Sequence, residues 1–134
     1  MYCVDASVLL SAARGTERYS AQSRAFFDDV RGNRRQIFLP EIALGELASG
    51  LFRATDDASY VREYLSTLSA LPNISFVAID RNLSALSIDI ILGTKLRAAD
   101  ALYVALALDY RLTLVSLDRE QLQKAERFIA VQEP

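Results

Sequence analysis

The order of apolar and polar positions along the chain predicts short strands that alternate with helices. Strand-like apolar runs occur at 2–4, 36–39, 74–79 and 112–116, and a last short strand is predicted at 128–131. Helical patterns follow residue 5 and occupy about 17–30, 41–54, 56–71, 80–92, 97–110 and 118–127. Strands that alternate with helices or helix pairs predict a parallel sheet covered on both faces.

The helix predicted at 97–110 is apolar on nearly every side, so it should be buried. A chain of 134 residues with 51% hydrophobic and 24% charged residues is expected to form one globular domain over 1–134. We find no internal repeat or linker. Asp5 interrupts the N-terminal apolar run, and no run reaches the ~18 residues of a membrane span, so we expect a cytoplasmic protein without a membrane partner.

The chain contains no histidine and one cysteine. The absence of histidine excludes Ser-His-Asp triads, Cys-His pairs, histidine zinc sites and any histidine general base. We interpret Cys3 as a small buried residue in a reducing compartment, because a lone cysteine cannot form an internal disulfide. Hydrolytic chemistry would therefore depend on carboxylates, hydroxyls, lysine, arginine or a bound metal.

Asp5 is a charge between two apolar runs, and such a charge is costly unless it lies at the end of an element or has a counter-charge. A strand that ends at Asp5 places the carboxylate at the edge of a parallel sheet where ligands bind. Asp5 could instead cap the following helix, but Ser7 is also available for that role.

Three further carboxylates stand in apolar surroundings. Glu46 follows the helix-interior Gly45, and a glycine there suggests close approach of another group, although an ordinary exposed helix glutamate is an equal alternative. Asp100 lies near the start of the most apolar helix, and a helix cap does not explain why that helix is buried. Asp118 follows a strand at the same predicted edge as Asp5, but it also begins a capping box with Gln121.

Two other acids are assigned to structure. Glu41 directly follows Pro40 and suits the first turn of a helix. Asp80 follows a strand and opens a helix, and it would be far from Asp5 if that strand lies at the margin of the sheet.

Carboxylates that meet at one edge cannot all stay ionised without cations. Oxygen ligands select hard ions such as Mg²⁺ or Mn²⁺, and a metal-bound water is then the most available nucleophile. The net charge is 15 − 17 = −2, but 1–35 carries six arginines against four acids. Arg31, Arg34 and Arg35 could form a phosphate-facing patch, or equally a solvated turn between a helix and a strand.

Four segments of the chain, in this order, resemble the PIN-domain ribonucleases, and in size the chain is similar to VapC-type toxins of type II toxin–antitoxin pairs. These segments are 4–10 with Asp5, 40–51 with Glu46, 96–105 with Asp100 and 114–118 with Asp118. The middle, about 55–95, matches only in helical character.

The resemblance implies a three-layer α/β/α fold with a central parallel sheet of four to five strands. It implies that Asp5, Glu46 and Asp100 are catalytic metal ligands, that Asp118 matches a more variable fourth acid, and that Ser7 supports the site. It further implies Mg²⁺ or Mn²⁺ as cofactor, an RNA substrate, a homodimer and inhibition by a cognate antitoxin. Arg14, Arg97 and the cluster Arg31, Arg34 and Arg35 are the candidates for RNA contact.

Two alternatives remain open at this point. The acidic total and modest basic patch would suit a non-catalytic PIN-like module that binds RNA or a protein. A phosphotransfer domain with a phosphorylated strand-end aspartate is disfavoured, because Ser7 stands where a dehalogenase-type nucleophile would require a second aspartate.

Overall fold

The computed structural model describes residues 1–15 and 18–134. Strands and helices alternate much as the sequence predicts. The elements are β1 (Tyr2–Val4), α1 (Ala6–Arg14), α2 (Ser20–Arg31), β2 (Ile37–Pro40), α3 (Ile42–Thr55), α4 (Ala58–Ser69), β3 (Ile74–Val77), α5 (Arg81–Thr94), α6 (Ala98–Tyr110), β4 (Thr113–Val115), α7 (Arg119–Ala125) and β5 (Val131–Gln132).

The five strands form one sheet in the order β3-β2-β1-β4-β5, and every neighbouring pair is parallel. Helices cover the sheet on both faces, which confirms the three-layer α/β/α architecture and the predicted strand number. β1 is the central strand, so the stretch that leads to Asp5 is hydrogen-bonded on both sides. The described part of the chain contains no helix long and apolar enough to cross a bilayer.

α6 is the central helix of the core, as its sequence predicts. It packs against β1, β2 and β4, and its residues 101–107 are buried without interruption. Cys3 on β1 is fully buried and donates its thiol to the carbonyl oxygen of Tyr103 on α6 at 3.4 Å. Burial raises the pKa of this thiol well above its ordinary value, as expected for an inert core cysteine.

The apolar pattern predicted the wrong bounds for two strands. The last strand is Val131–Gln132 rather than 128–131, because the amides of Phe128 and Ile129 donate to the carbonyl of Ala125 in the turn that ends α7. The third strand ends at Val77 rather than 79, since the amide of Asp80 turns back to the carbonyl of Ala78 at 3.1 Å. Apolar composition does not reveal where backbone amides in a turn bond to local carbonyl oxygens instead of to a neighbouring strand.

The predicted start of the second helix at residue 17 lies outside the described residues. The described helix is α2, Ser20–Arg31, and Gly32 caps its carboxyl end.

Gly45 does not mark the close approach that its position suggested. A Cβ atom built there would have no heavy atom of the described residues within 4 Å. The close approach occurs instead at Gly50 on the same helix, where a Cβ would lie 2.7 Å from Cδ2 of Leu10 on α1. Gly50 therefore sets the distance between α1 and α3.

Candidate active site

The connections of the sheet place the candidate acids at one edge. From the central strand the chain moves first to β2 and β3 on one side, and then crosses to β4 and β5 on the other. The strand order therefore switches between β1 and β4, the position at which ligands bind in open parallel sheets. Asp5 directly follows β1, and Asp118 lies three residues after β4.

Asp5 is buried, with 7% of its surface exposed. Its Oδ2 accepts a hydrogen bond from the amide of Ser7 at 2.8 Å, and its Oδ1 accepts one from Nε2 of Gln121 at 3.4 Å. Burial raises the pKa of the Asp5 carboxyl, the charge of Asp100 raises it further, and the hydrogen bonds from Ser7 and Gln121 oppose the shift. The surroundings of Asp5 therefore disfavour the ionised form of its carboxyl group.

The cap of α1 is Asp5, not Ser7. Its carboxylate satisfies the free amide of Ser7 in the first turn of the helix, so our argument that Asp5 was partly redundant for capping was wrong. The Ser7 hydroxyl instead accepts a hydrogen bond from the amide of Leu117 at 3.3 Å. Ser7 thereby joins α1 to the loop that follows β4.

Glu46 projects from α3 and is partly buried. Its Oε1 accepts a hydrogen bond from the hydroxyl of Tyr103 at 2.9 Å. Burial raises the pKa of Glu46, the bond from Tyr103 lowers it, and the charges of Asp5 and Asp100 raise it. Sequence analysis missed Tyr103, because a tyrosine in a continuously apolar helix is typical of core.

Asp100 lies in the first turn of α6, and its side chain is 14% exposed. Nε of Arg97 donates to its Oδ2 at 2.9 Å, and Nη2 of the same arginine lies 3.6 Å from Oδ2 of Asp118. The Arg97 side chain is 81% exposed, and its bond with Asp100 raises the pKa of the guanidinium. Arg97 is therefore a cation between two of the candidate acids.

Asp118 caps α7, as expected if it begins a capping box. Its Oδ1 accepts from the amides of Glu120 at 2.9 Å and Gln121 at 3.1 Å. The second half of the predicted capping box is absent from the described contacts: the amide of Asp118 donates to the hydroxyl of Ser116 at 3.0 Å, and the Gln121 side chain is directed elsewhere. Asp118 thus combines a capping role with a place beside Arg97.

Gln121 is the second residue that sequence analysis missed at the site, having been assigned to the capping box. It is fully buried, and its Nε2 donates both to Oδ1 of Asp5 and to the backbone carbonyl of Asp100 at 3.3 Å. A glutamine in the first turn of a short helix gives no signal of this contact, because its partners are far away in sequence.

A small open cleft lies beside the acids. Its volume is about 290 Å³, and it is lined by Lys95, Leu96, Arg97, Asp100, Asp118, Glu120 and Gln121. The cleft is mostly polar and carries charges of both signs, which suits a charged ligand better than an apolar one.

The acids fit a divalent cation by their chemistry, though their side chains are not gathered as ligands. Among residues 1–15 and 18–134, no three acidic or cysteine side chains stand together closely enough to hold one metal ion. The donor set is nevertheless all oxygen, the buried Asp5 lacks a neutralising partner among its described contacts, and a cation, Arg97, already lies between Asp100 and Asp118.

The other candidate arginines are not brought to this edge. Arg14 ends α1, about 13 Å along the helix from Asp5. Arg34 and Arg35 precede β2 at the opposite, amino-terminal edge of the sheet, where both form ion pairs with Asp29 at 2.8 and 3.0 Å. Arg31 closes α2 at the same end. Of the candidates for RNA contact, Arg97 is the one that the structure places beside the acids.

Asp80 is far from the site, as predicted. It caps α5 through a bond from the amide of Leu83 at 2.8 Å, and it follows β3, which is an edge strand. Two strand positions, those of β1 and β2, separate it from β4.

Comparison with known proteins matches the chain to one family model, the PIN domain, over residues 2–127. The chain belongs to the PIN domain family. No curated protein sequence matches this PIN domain.

Solved structures share the PIN domain's fold at low identity. FitAcB from Neisseria gonorrhoeae is 21% identical with a TM-score of 0.74, and the match covers 98% of this chain and 96% of that one. A toxin–antitoxin complex from Klebsiella pneumoniae is 19% identical with a TM-score of 0.66, and the match covers 91% of this chain and 90% of that one. VapC20 from Mycobacterium tuberculosis, described as a sarcin-ricin loop cleaving toxin, is 12% identical with a TM-score of 0.79. That match covers 98% of this chain and 99% of VapC20.

Proposed function

We propose that this PIN domain is a divalent-metal-dependent endoribonuclease that acts as the toxin of a toxin–antitoxin pair. The observation that carries the proposal is the set of Asp5, Glu46 and Asp100 around the topological switch point, where burial and their mutual charges raise the pKa values of Asp5 and Glu46. Carboxylates that disfavour one another's ionised forms at the ligand-binding edge of a parallel sheet indicate a site for a cation.

The comparisons support this assignment. The family is that of PIN domains, VapC20 is described as a toxin that cleaves the sarcin-ricin loop, and the Klebsiella structure is a toxin–antitoxin complex. We extend these properties to the present chain as an RNA substrate and a cognate antitoxin. The single PIN domain, spanning 1–134, would act as a homodimer, as the sequence resemblance implies.

Asp5, Glu46 and Asp100 would hold Mg²⁺ or Mn²⁺, with Asp118 as a fourth acid. Such an ion, when bound, supplies a water of lowered pKa and neutralises charge that develops on a phosphate. The chain's own residues orient the ligands: the amide of Ser7 fixes Asp5, and the hydroxyl of Tyr103 fixes Glu46. Arg97, exposed at the cleft, is the residue that would pair with an RNA phosphate.

Cleavage of RNA by the purified protein tests the proposal. We expect cleavage with Mg²⁺ or Mn²⁺, no cleavage in EDTA, and a loss of at least about a hundredfold in Asp5→Asn and Asp100→Asn, because each substitution removes an ionised ligand. Asp80→Asn is the matched control, since Asp80 also caps a helix after a strand but lies at the far margin of the sheet. Cleavage that survives EDTA or both site substitutions would refute the proposal.

A second candidate function is a non-catalytic PIN-like module that binds RNA or protein. One observation favours it: no three acids of the described residues are gathered around a common point. Calorimetric titration distinguishes the two functions, because the module predicts no binding of Mg²⁺ or Mn²⁺ at millimolar concentration.

A further inference from the structure

Gln121 is a fully buried amide whose orientation is set by its partners. Its Nε2 lies 3.3 Å from the backbone carbonyl of Asp100 and 3.4 Å from Oδ1 of Asp5. A carbonyl oxygen can only accept a hydrogen bond, so the nitrogen of the amide must face Asp100 and the oxygen must point away. One side chain on α7 thereby joins the cap of α1 to the first turn of α6.

The oxygen of the same amide is left unpaired. Oε1 of Gln121 is buried and has no hydrogen-bond partner among the described residues. A buried polar atom without a partner lowers the stability of the fold, and a leucine of similar size would avoid that cost. Helix capping does not explain the glutamine either, because Asp118 caps α7 through its own carboxylate.

We propose that Gln121 is a positioning residue that holds the Asp5 carboxylate in register with the first turn of α6, so that Asp5 and Asp100 can bind one divalent cation together. This inference rests on the proposed function. Partners that orient ligating side chains typically contribute ten- to a hundredfold to metal affinity. The Gln121 amide therefore acts on the site through its nitrogen, while its unpaired oxygen offsets part of the stability that the two donated hydrogen bonds supply.

Calorimetric titration of the full chain with Mn²⁺, combined with thermal unfolding in EDTA, tests the assignment. We expect Gln121→Leu to bind Mn²⁺ about tenfold more weakly than the wild type while still unfolding cooperatively in EDTA, where the loss of two hydrogen bonds lowers its Tm modestly. RNA cleavage by this variant should recover at high Mn²⁺ concentration, because the substitution weakens metal binding and removes no ligand. Gln123→Leu is the matched control, since Gln123 is exposed on the same helix.

The outcomes separate the inference from the function on which it rests. A wild type that binds no Mn²⁺ refutes both. A wild type that binds Mn²⁺ with an unchanged affinity in Gln121→Leu refutes the role of Gln121 alone, as does a Tm in EDTA that falls by several degrees without a change in affinity. Gln121→Met, which also lacks the amide, replaces the leucine variant if that variant does not fold, and the same results apply to it.

Discussion

The Asp5 side chain has two roles that affect the stability of the protein in opposite directions. As the cap of α1 it satisfies a free backbone amide, which stabilises the helix. As a carboxylate with 7% exposure it must be ionised in a place that disfavours charge. An asparagine would keep the first role, since its side-chain oxygen can also accept the bond from Ser7, and would remove the charge, but its Nδ2 would then face Nε2 of Gln121.

This opposition predicts that the free energy of unfolding of the metal-free wild type, relative to that of Asp5→Asn, falls as pH rises toward neutrality. The pKa of Asp5 is raised in the folded state, so its favourable contribution is complete below the unfolded pKa of about 3.9 and is lost as pH rises through the folded value. The wild type should therefore lose more stability than the variant between pH 4 and pH 7.

Urea unfolding in EDTA across that range measures the difference. Because the pKa of Glu46 is raised as well, some of the pH dependence should persist in the variant. A stability difference between the two proteins that stays constant from pH 4 to pH 7 would contradict the prediction.

Sequence reasoning located the acids because each is a charge in apolar surroundings, a property that is local. It could not locate Tyr103 or Gln121, because their roles depend on partners 57 and 116 positions away. It also left Asp5 and Ser7 as alternative caps of α1, since both residues are good caps and the choice between them depends on how β1 enters the helix.

At the scale of elements, α3 contains two glycines in opposite surroundings. Gly45 borders open space, so Gly45→Ala should gain the helix propensity of alanine, about 1 kcal/mol. At Gly50 the new Cβ would meet Leu10 at 2.7 Å and displace that side chain, so Gly50→Ala should lose this gain or become destabilising by about 1 kcal/mol.

Chemical denaturation of the two single variants under the same conditions provides the comparison, with each glycine serving as the control for the other. Equal stabilisation by both alanines would show that α1 and α3 do not meet at Gly50 as described.

The elements themselves were predictable in type and less so in length. Helices with strong apolar patterns, such as α6, were found because their period is clear over many residues. β5 was misplaced because the turn after α7 contains two large apolar residues, Phe128 and Ile129, whose amides bond locally rather than to a strand.

At the scale of the whole molecule, the candidate site is assembled from four distant parts of the sequence. Asp5, Glu46, Asp100 and Asp118 follow or lie on different elements, and only the folded sheet brings them to one edge. An unfolded chain cannot offer this arrangement, so a divalent ion that binds the site should bind the native state alone and stabilise it.

Thermal unfolding should therefore show a higher Tm with Mn²⁺ than with EDTA. At a concentration a hundred times the Kd, binding contributes about 2.7 kcal/mol, which corresponds to an increase of about 10 °C for a chain of this size. Asp100→Asn should show little of this increase, while Asp80→Asn should retain it. An equal Mn²⁺ effect in both variants would place the ion elsewhere.

The fold class followed from the alternation of elements, and the structure places Asp80 away from Asp5, as predicted for a third strand at the margin of the sheet. The position of β4 beside β1 was not determined by the apolar pattern, which is compatible with several strand orders. That adjacency is a long-range packing outcome, and it decides which strand ends share the switch point.

The adjacency of β1 and β4 also bears on synthesis. The first strand is synthesised before its neighbour β4, which begins at Thr113, and the acid beyond β4 follows at Asp118. A growing polypeptide therefore has no complete acidic site until Asp118 has been made. Under the proposed function, the chain would remain harmless to the RNA around it until that point of its synthesis.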